Sequence, residues 1–291
     1  VATGTATAVA CVFADNPLTE NRGASAAYGA AQVPAGWMGL LFAGGIAGAN
    51  PMYALAARRH MNTYGTTSEQ LGNIAVAQRE WAQLNPLAQM RTPMTLQDHQ
   101  DSRVIADPFH LFDCCLVSNG GIAVIVTTAE RAAELAQPAV HLHGWAQSHP
   151  GNFLRRNDDY GLVSGAAISG PAAYEMAGIT ANEVDVVELY DCYTYTALIS
   201  LEDYGFCEKG EGGAFAASGN LGPKGKLPLN TGGGQLSSYY LWGMTPLSEG
   251  IIQARGQAGD RQTDKHDIVL VSGNGGMLDH HSTLILSPHP A

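Results

Sequence analysis

The chain has 291 residues, long enough to bury a large core in one or two domains. Apolar residues make up 45% of it and charged residues 14%, against roughly 25% charged in an average soluble domain, which excludes disorder; 35 glycines without a three-residue period exclude a collagen-like chain. A net charge of −11 argues against a nucleic-acid partner, which would require a basic surface, and the sparse charge hints at surface covered by other subunits.

In chain order, residues 5–14 are continuously apolar and β-branched, as in a strand covered on both faces. Residues 15–50 are rich in Gly, Asn and Pro and are expected to be irregular. Helical periodicity over 51–64 ends at Gly65. Thr67-Ser-Glu-Gln70 opens a second helix over 68–84 with a capping-type start, and Pro86 stops it. Residues 91–108 are polar and predict a surface excursion. Asn119-Gly-Gly121 turns into a buried strand over 122–126, followed by a helix over 129–136, and Pro138 divides the chain into two halves. The second half predicts a strand over 140–147, a helix near 170–177 closed by Gly178, a strand over 184–190 and a helix over 194–204. A Gly/Pro-rich loop over 205–234 follows, then a helix over 245–255 with Pro246 in its first turn. Strands over 267–272 and 281–287, joined through Gly273-Asn-Gly-Gly276, close the chain. Strands alternating with helices predict an α/β fold with a mostly parallel sheet covered on both faces.

No uncharged apolar run reaches the ~18–20 residues of a membrane helix, so no membrane partner is expected. Cys11, Cys114, Cys115, Cys192 and Cys207 are odd in number and form no CxxC pair, pointing to a reducing cytoplasm rather than a disulfide framework or zinc site. The chain opens without Met or a charged signal-peptide start and is expected to be part of a longer protein, short at its N-terminus. None of its glycine turns matches GxGxxG or a Walker sequence, which argues against a nucleotide site. His280 and His281 are adjacent on a strand, so at most one faces inward, and no third ligand accompanies them; no metal is expected. His141 and His143 share a strand face as a solvated or interface pair.

Two segments are more specific: Glu188-Leu-Tyr-Asp-Cys-Tyr-Thr194 at the carboxyl end of a strand, where open sheets bind ligands, and Leu229-Asn-Thr-Gly-Gly-Gly-Gln-Leu-Ser-Ser-Tyr-Tyr-Leu-Trp-Gly243. In this order, with the Asn119 and Asn274 turns, they resemble the thiolase superfamily in its sterol-carrier (lipid-transfer) branch. The resemblance implies a thiolase-like fold of two βαβαβ halves in a layered α-β-α-β-α core: residues 1–138, with an excursion inserted at about 15–110, and residues 139–291. The family's usual His after the glycine-rich loop is replaced by Tyr240, the His or Asn of the strand-end motif by Tyr190, and no Cys follows Cys207. A thiolate needs a nearby base or cation, so ordinary thiolysis is expected to be disabled.

Phenols can serve retro-aldol cleavage of a β-hydroxyacyl-CoA, which needs proton transfer and enolate stabilisation but no covalent nucleophile. The tyrosine pair resembles that of bacterial steroid side-chain-cleaving aldolases, which release propionyl-CoA and a 17-ketosteroid from a 17-hydroxy steroid acyl-CoA. By resemblance, Tyr190 and Tyr240 are the acid/base pair, their individual roles left open, with Tyr239 able to exchange roles with Tyr240 if the register shifts by one. Asp191 either supports them or caps the next helix. Asn274, Gly275 and Gly276 form either an oxyanion site or a plain turn, and Tyr239, Gly233 and Gly234 are candidates for substrate contact. Cys192, Tyr193, Tyr195 and Tyr204 read as packing. The resemblance implies no cofactor, the CoA thioester being substrate; a homodimer through the core sheet; and an OB-fold partner in a heterotetramer. Arg58-Arg59 and Arg155-Arg156 are candidate phosphate contacts, each more simply read as solvated surface. A thiolase using an upstream Cys and a silent acyl-CoA- or lipid-binding subunit are the alternatives.

Overall fold

The computed structural model describes residues 1–21, 35–151 and 159–290. Among them, β1 (Ala8–Asp15) leads to α1 (Trp37–Ala43), which lies in a stretch expected to be irregular. α2 (Ala49–Tyr64) closes at Gly65, whose φ of 78° only glycine adopts without cost. α3 (Ser68–Leu84) begins on the expected capping box: the Thr67 hydroxyl accepts from the Gln70 amide, and the Gln70 side chain accepts from the Thr67 amide. Its inner face buries Leu71, Ile74 and Trp81, each side chain contributing about 1.5–3 kcal/mol.

The polar stretch after α3 is not simply surface. It forms α4 (Leu96–Asp101), β2 (Val104–Ala106) and β3 (Phe109–His110). α4 approaches α3 at Gly72, where a Cβ would stand 2.7 Å from Leu96 and 2.8 Å from His99. That approach buries His99 completely, 2.9 Å from Asp113, which also accepts from the Thr194 hydroxyl at 2.6 Å.

β4 (Gly120–Thr127) pairs antiparallel with β1, from Ala8 opposite Thr127 to Asp15 opposite Gly120, and α5 (Ala129–Ala133) follows it. Neither strand is covered on both faces as expected: Val12 is 68% exposed and Ile125 58%. β5 (His141–Ser148), α6 (Ala166–Ala177), β6 (Val186–Glu188), α7 (Thr194–Asp203), α8 (Gly212–Ala217), α9 (Met244–Ala254), β7 (Val269–Gly275) and β8 (His280–Ser287) complete the chain. The second sheet has the order β5-β8-β7-β6, in which only β6 and β7 run parallel. The expected mostly parallel sheet is thus corrected. β7 and β8 are joined by four residues, too few for the crossover a parallel pair needs, so they form a hairpin, and β5 adds antiparallel to its far edge. The exception, β6 beside β7, is joined through α7, α8 and α9.

α9 packs on β6 and β7, and α6 on β5 and β8. α7 packs against α3 and is buried nearly all round, with Tyr195, Leu198, Ile199 and Leu201 sealed in the core. The carboxyl end of β6 and the start of α7 therefore open into the space framed by α2, α3 and the 229–243 segment. Among the described residues, no helix is long and apolar enough to cross a membrane.

Candidate active site

Leu229 pairs with Val187, so the glycine-rich loop runs beside β6 and reaches the strand end together with it. Asn230, at φ 52°, accepts from the Leu189 amide at 2.6 Å and donates its own amide to the Val187 carbonyl at 2.9 Å. Gly233 and Gly234 both take positive φ, where a Cβ on Gly233 would meet Ala82 of α3 at 2.6 Å. A Cβ on Gly234 would lie 2.2 Å from the Asp191 carboxylate and 2.6 Å from Gln78. These two glycines, candidates for substrate contact, let the loop close onto α3 and Asp191.

Past them the chain makes a π-helical turn, Gly234–Ser238. Asp191 caps this turn and not its own helix: both its oxygens accept from the Gln235 amide at 3.0 Å, and one also takes the Leu236 amide at 3.4 Å. Burial pushes the Asp191 carboxyl up to about 7, against the lowering pull of those two amides. α3 and the Asn85 that caps it hold the same turn, with Arg79 donating to the Ser237 hydroxyl and Asn85 to the Ser238 hydroxyl.

The backbone leaves the turn extended at Tyr239, so consecutive side chains point to opposite sides. Tyr239 sends its hydroxyl to Ser248, 3.4 Å away, beside a small internal cavity lined by Glu188, Asn230 and Glu249. There Thr231 donates to Glu188, and Arg261 clamps both oxygens of Glu249 at 2.8 and 3.0 Å. Burial and the neighbouring Glu249 hold the Glu188 carboxyl well above its usual range.

Tyr240 points the other way. Its amide donates to the Ser118 hydroxyl at 3.0 Å, and its phenol stands 2.8 Å from that of Tyr190. The two rings meet edge to face, and Tyr240 stacks on Trp242, which is 47% exposed. Burial, then Cys192 and Tyr240, push the Tyr190 phenol well above its ordinary value, so it keeps its proton at neutral pH. Cys192 lies behind the pair; burial pushes its thiol, like that of Cys114, up to about 12, and drives the Cys115 thiol well above its usual value.

Asn274 and Gly275 are the last two residues of β7, opposite His281 and His280, so both belong to a hairpin end. Tyr53 of α2 reaches this hairpin: it donates to the Gly276 carbonyl at 2.9 Å and accepts from the Asn274 amide nitrogen at 2.8 Å. Tyr53 was not foreseen, because the contact spans more than two hundred residues; nor was Ser118. Asn230 stood inside the glycine-rich segment without a role.

Of the candidate phosphate contacts, Arg58 pairs with Asp107 and Arg59 donates to the Tyr160 carbonyl, while Arg155 and Arg156 lie outside the described residues. His281 is buried between Tyr204 and Ser272, and His280 faces outward to His149.

The layered fold, with two phenols in contact where a glycine-rich loop meets a strand end, defines a thiolase-type protein. The thiolase C-terminal domain-like family model matches residues 146–288. The chain is 38% identical, over 76% of its length, to the steroid side-chain-cleaving aldolase of Thermomonospora curvata and to the 17-hydroxy-3-oxo-4-pregnene-20-carboxyl-CoA lyase of Mycobacterium tuberculosis. It spans 58% and 59% of those two relatives. The solved structure of an Ltp2-ChsH2(DUF35) aldolase superposes with a TM-score of 0.86 at 36% identity, covering 99% of this chain and 74% of that one. Sterol carrier protein 2 of Oryctolagus cuniculus is 30% identical over 75% of the chain. The chain belongs to the thiolase superfamily, in its sterol-carrier-type branch.

Proposed function

We propose that the protein is a lyase that cleaves a β-hydroxyacyl-CoA by retro-aldol reaction, its substrate a 17-hydroxy steroid side-chain thioester. The observation that carries this reading is the 2.8 Å contact between the Tyr190 and Tyr240 hydroxyls. Two phenols in hydrogen-bond contact can pass a proton without either becoming a free phenolate. In the proposed order, the substrate hydroxyl gives its proton to Tyr240 as the C–C bond breaks and a ketone forms. The bond electrons move into the thioester enolate. Tyr240 passes its own proton to Tyr190, and Tyr190, whose burial favours the protonated form, delivers a proton to the enolate carbon. Proton and electron are conserved, and the sequence calls on no cofactor. Cys192, Cys114 and Cys115 are held protonated and offer no thiolate for thiolysis.

The relatives named as steroid aldolase and steroid-CoA lyase support the substrate class. The two-component name of the superposed aldolase supports a complex with a second subunit, read here as an OB-fold protein in a heterotetramer built on a homodimer. Exposed Val12 and Ile125 on the first sheet supply apolar surface for subunit contact.

The full-length protein with its partner is expected to convert the steroid β-hydroxyacyl-CoA to propionyl-CoA and a 17-ketosteroid without free CoA. Strict dependence on free CoA would show thiolysis instead. Tyr240→Phe should lower the rate about 10²–10⁴-fold, the usual worth of a positioned proton-transfer group; an unchanged rate removes Tyr240 from the reaction.

A further inference from the structure

The phenol pair is built from residues 190 and 240, yet Tyr240 is held from far upstream in the chain. The peptide between Tyr239 and Tyr240 is pinned at both ends. Its carbonyl accepts from the Thr245 hydroxyl at 3.3 Å, and the Thr245 oxygen accepts from the Leu241 amide at 2.9 Å. Its N–H donates at 3.0 Å to the hydroxyl of Ser118, which is buried just ahead of β4. A peptide unit is planar, so pinning both groups stops it from turning and sets the line from which the Tyr240 side chain departs. Ser118 is itself locked. A hydroxyl oxygen carries two lone pairs, and the second takes the side-chain amide of Gln89 at 2.7 Å. Gln89 is also tied to the π-helical turn: its backbone amide donates to the Ser238 carbonyl at 3.0 Å, and that of Met90 to the Ser237 carbonyl at 2.9 Å. Residues 89 and 118 thus form one bracket around the segment that carries Tyr240.

We propose that Ser118 and Gln89 are positioning residues for Tyr240: Ser118 pins its backbone amide, Gln89 locks the Ser118 hydroxyl, and together they keep the Tyr240 phenol on Tyr190. This rests on the lyase reading for what the phenols do. Both residues act through Tyr240 alone. Without the Ser118 oxygen the Tyr240 amide loses its acceptor, and the peptide, held only by Thr245, is able to turn. The phenol contact is then made in a fraction of the molecules, so proton transfer slows while the surface that binds the thioester stays as it was. Gln89 gives the sharper distinction. Glutamate in its place accepts the Ser118 proton, which leaves the Ser118 oxygen able to take the Tyr240 amide; leucine holds the hydroxyl in neither sense. Gln89 is exposed, and substitutions at such sites change stability little, so a rate difference between the two variants reports on the bracket and not on the core.

The test follows propionyl-CoA release from the steroid β-hydroxyacyl-CoA by the full-length protein with its partner. Ser118→Ala should lower kcat about 10-fold, the worth of one neutral hydrogen bond, and leave KM within about twofold. Gln89→Leu should lower kcat about fivefold in the same way, and Gln89→Glu should restore it to within about twofold of wild type. In a Tyr240→Phe background, Ser118→Ala should change the residual rate less than about twofold, because the group it positions is gone. A raised KM with unchanged kcat, a Gln89→Glu protein as slow as Gln89→Leu, or a full further loss in the Tyr240→Phe background overturns the proposal. If Ser118→Ala does not fold, the two Gln89 variants decide. A wild-type protein that releases no ketosteroid overturns the lyase reading alone. The bracket is then read from crystal structures of wild type and Gln89→Leu: the phenols of residues 190 and 240 should part in the variant, and an unmoved pair overturns the bracket alone.

Discussion

Replacing Asp191 with asparagine removes a titratable group that folding holds far from its solution value. The carboxyl is fully buried and its pKa stands at about 7, against 3.8 for a free side chain. Because the folded value is raised, the native state holds a proton that the unfolded chain has released wherever the pH lies between the two. Stability due to this group therefore falls as pH rises from about 4 to about 7, and the loss is constant above that. Below pH 4 both states are protonated and the contribution vanishes. At ~1.4 kcal/mol per pKa unit, the full span is on the order of 4 kcal/mol, and the part between pH 5 and 7 about 3 kcal/mol. Asparagine keeps an acceptor for the Gln235 amide and a similar shape but does not titrate. Urea unfolding of both proteins at pH 5 and pH 8 isolates the group, since the other titrating residues are common to the pair. The stability of wild type relative to Asp191→Asn should drop by about 3 kcal/mol between the two pH values. A difference that is flat with pH, or that rises, would refute the burial argument and leave the carboxylate fully compensated by its two amides.

Gly234→Ala should destabilise the fold by about 3–5 kcal/mol, since it adds left-handed strain to a Cβ driven into Asp191; chemical denaturation reads this directly. A cost near 1 kcal/mol would mean that Asp191 moves aside freely. Arg261→Met leaves the buried Glu249 without its bidentate cation and should cost about 3–5 kcal/mol at pH 8 but less at pH 5, where the neighbouring Glu188, whose carboxyl burial pushes up, is protonated. Equal losses at both pH values would place the effect in packing and not in charge.

What the sequence disclosed was what is encoded locally. The box of Thr67 and Gln70 lies within one turn, and α3 starts and stops where its residues say. Thr95 and Asp98 carry the same signal for α4, which went unread because the surrounding stretch is polar. α8 was hidden by Gly212 and Gly213, which look like loop but are glycine because Glu202 and Gln70 press against them at 2.8 and 2.3 Å from a would-be Cβ. Tyr190 and Tyr240 were legible through family resemblance, although no local property marks them among the chain's 11 tyrosines. The partners of Asp191 cannot be read locally, because they lie 44 and 45 residues away, on another segment. The direction of the sheet was misread from the alternation of strands and helices, when the four-residue link between β7 and β8 already required a hairpin.

The wide turn before Tyr239 also counts residues. A π-helical turn holds one residue more than the α-helical turn it replaces, and the extended backbone that follows alternates sides with every step. The turn therefore sets an odd-or-even parity for everything downstream. With the extra residue in place, Tyr240 reaches Tyr190 and Tyr239 goes to Ser248; removing one residue while keeping the loop's anchors would exchange the two. Asp191, by gripping the Gln235 and Leu236 amides, fixes the point from which this count begins, so one buried carboxylate determines which of two adjacent, chemically identical side chains meets Tyr190.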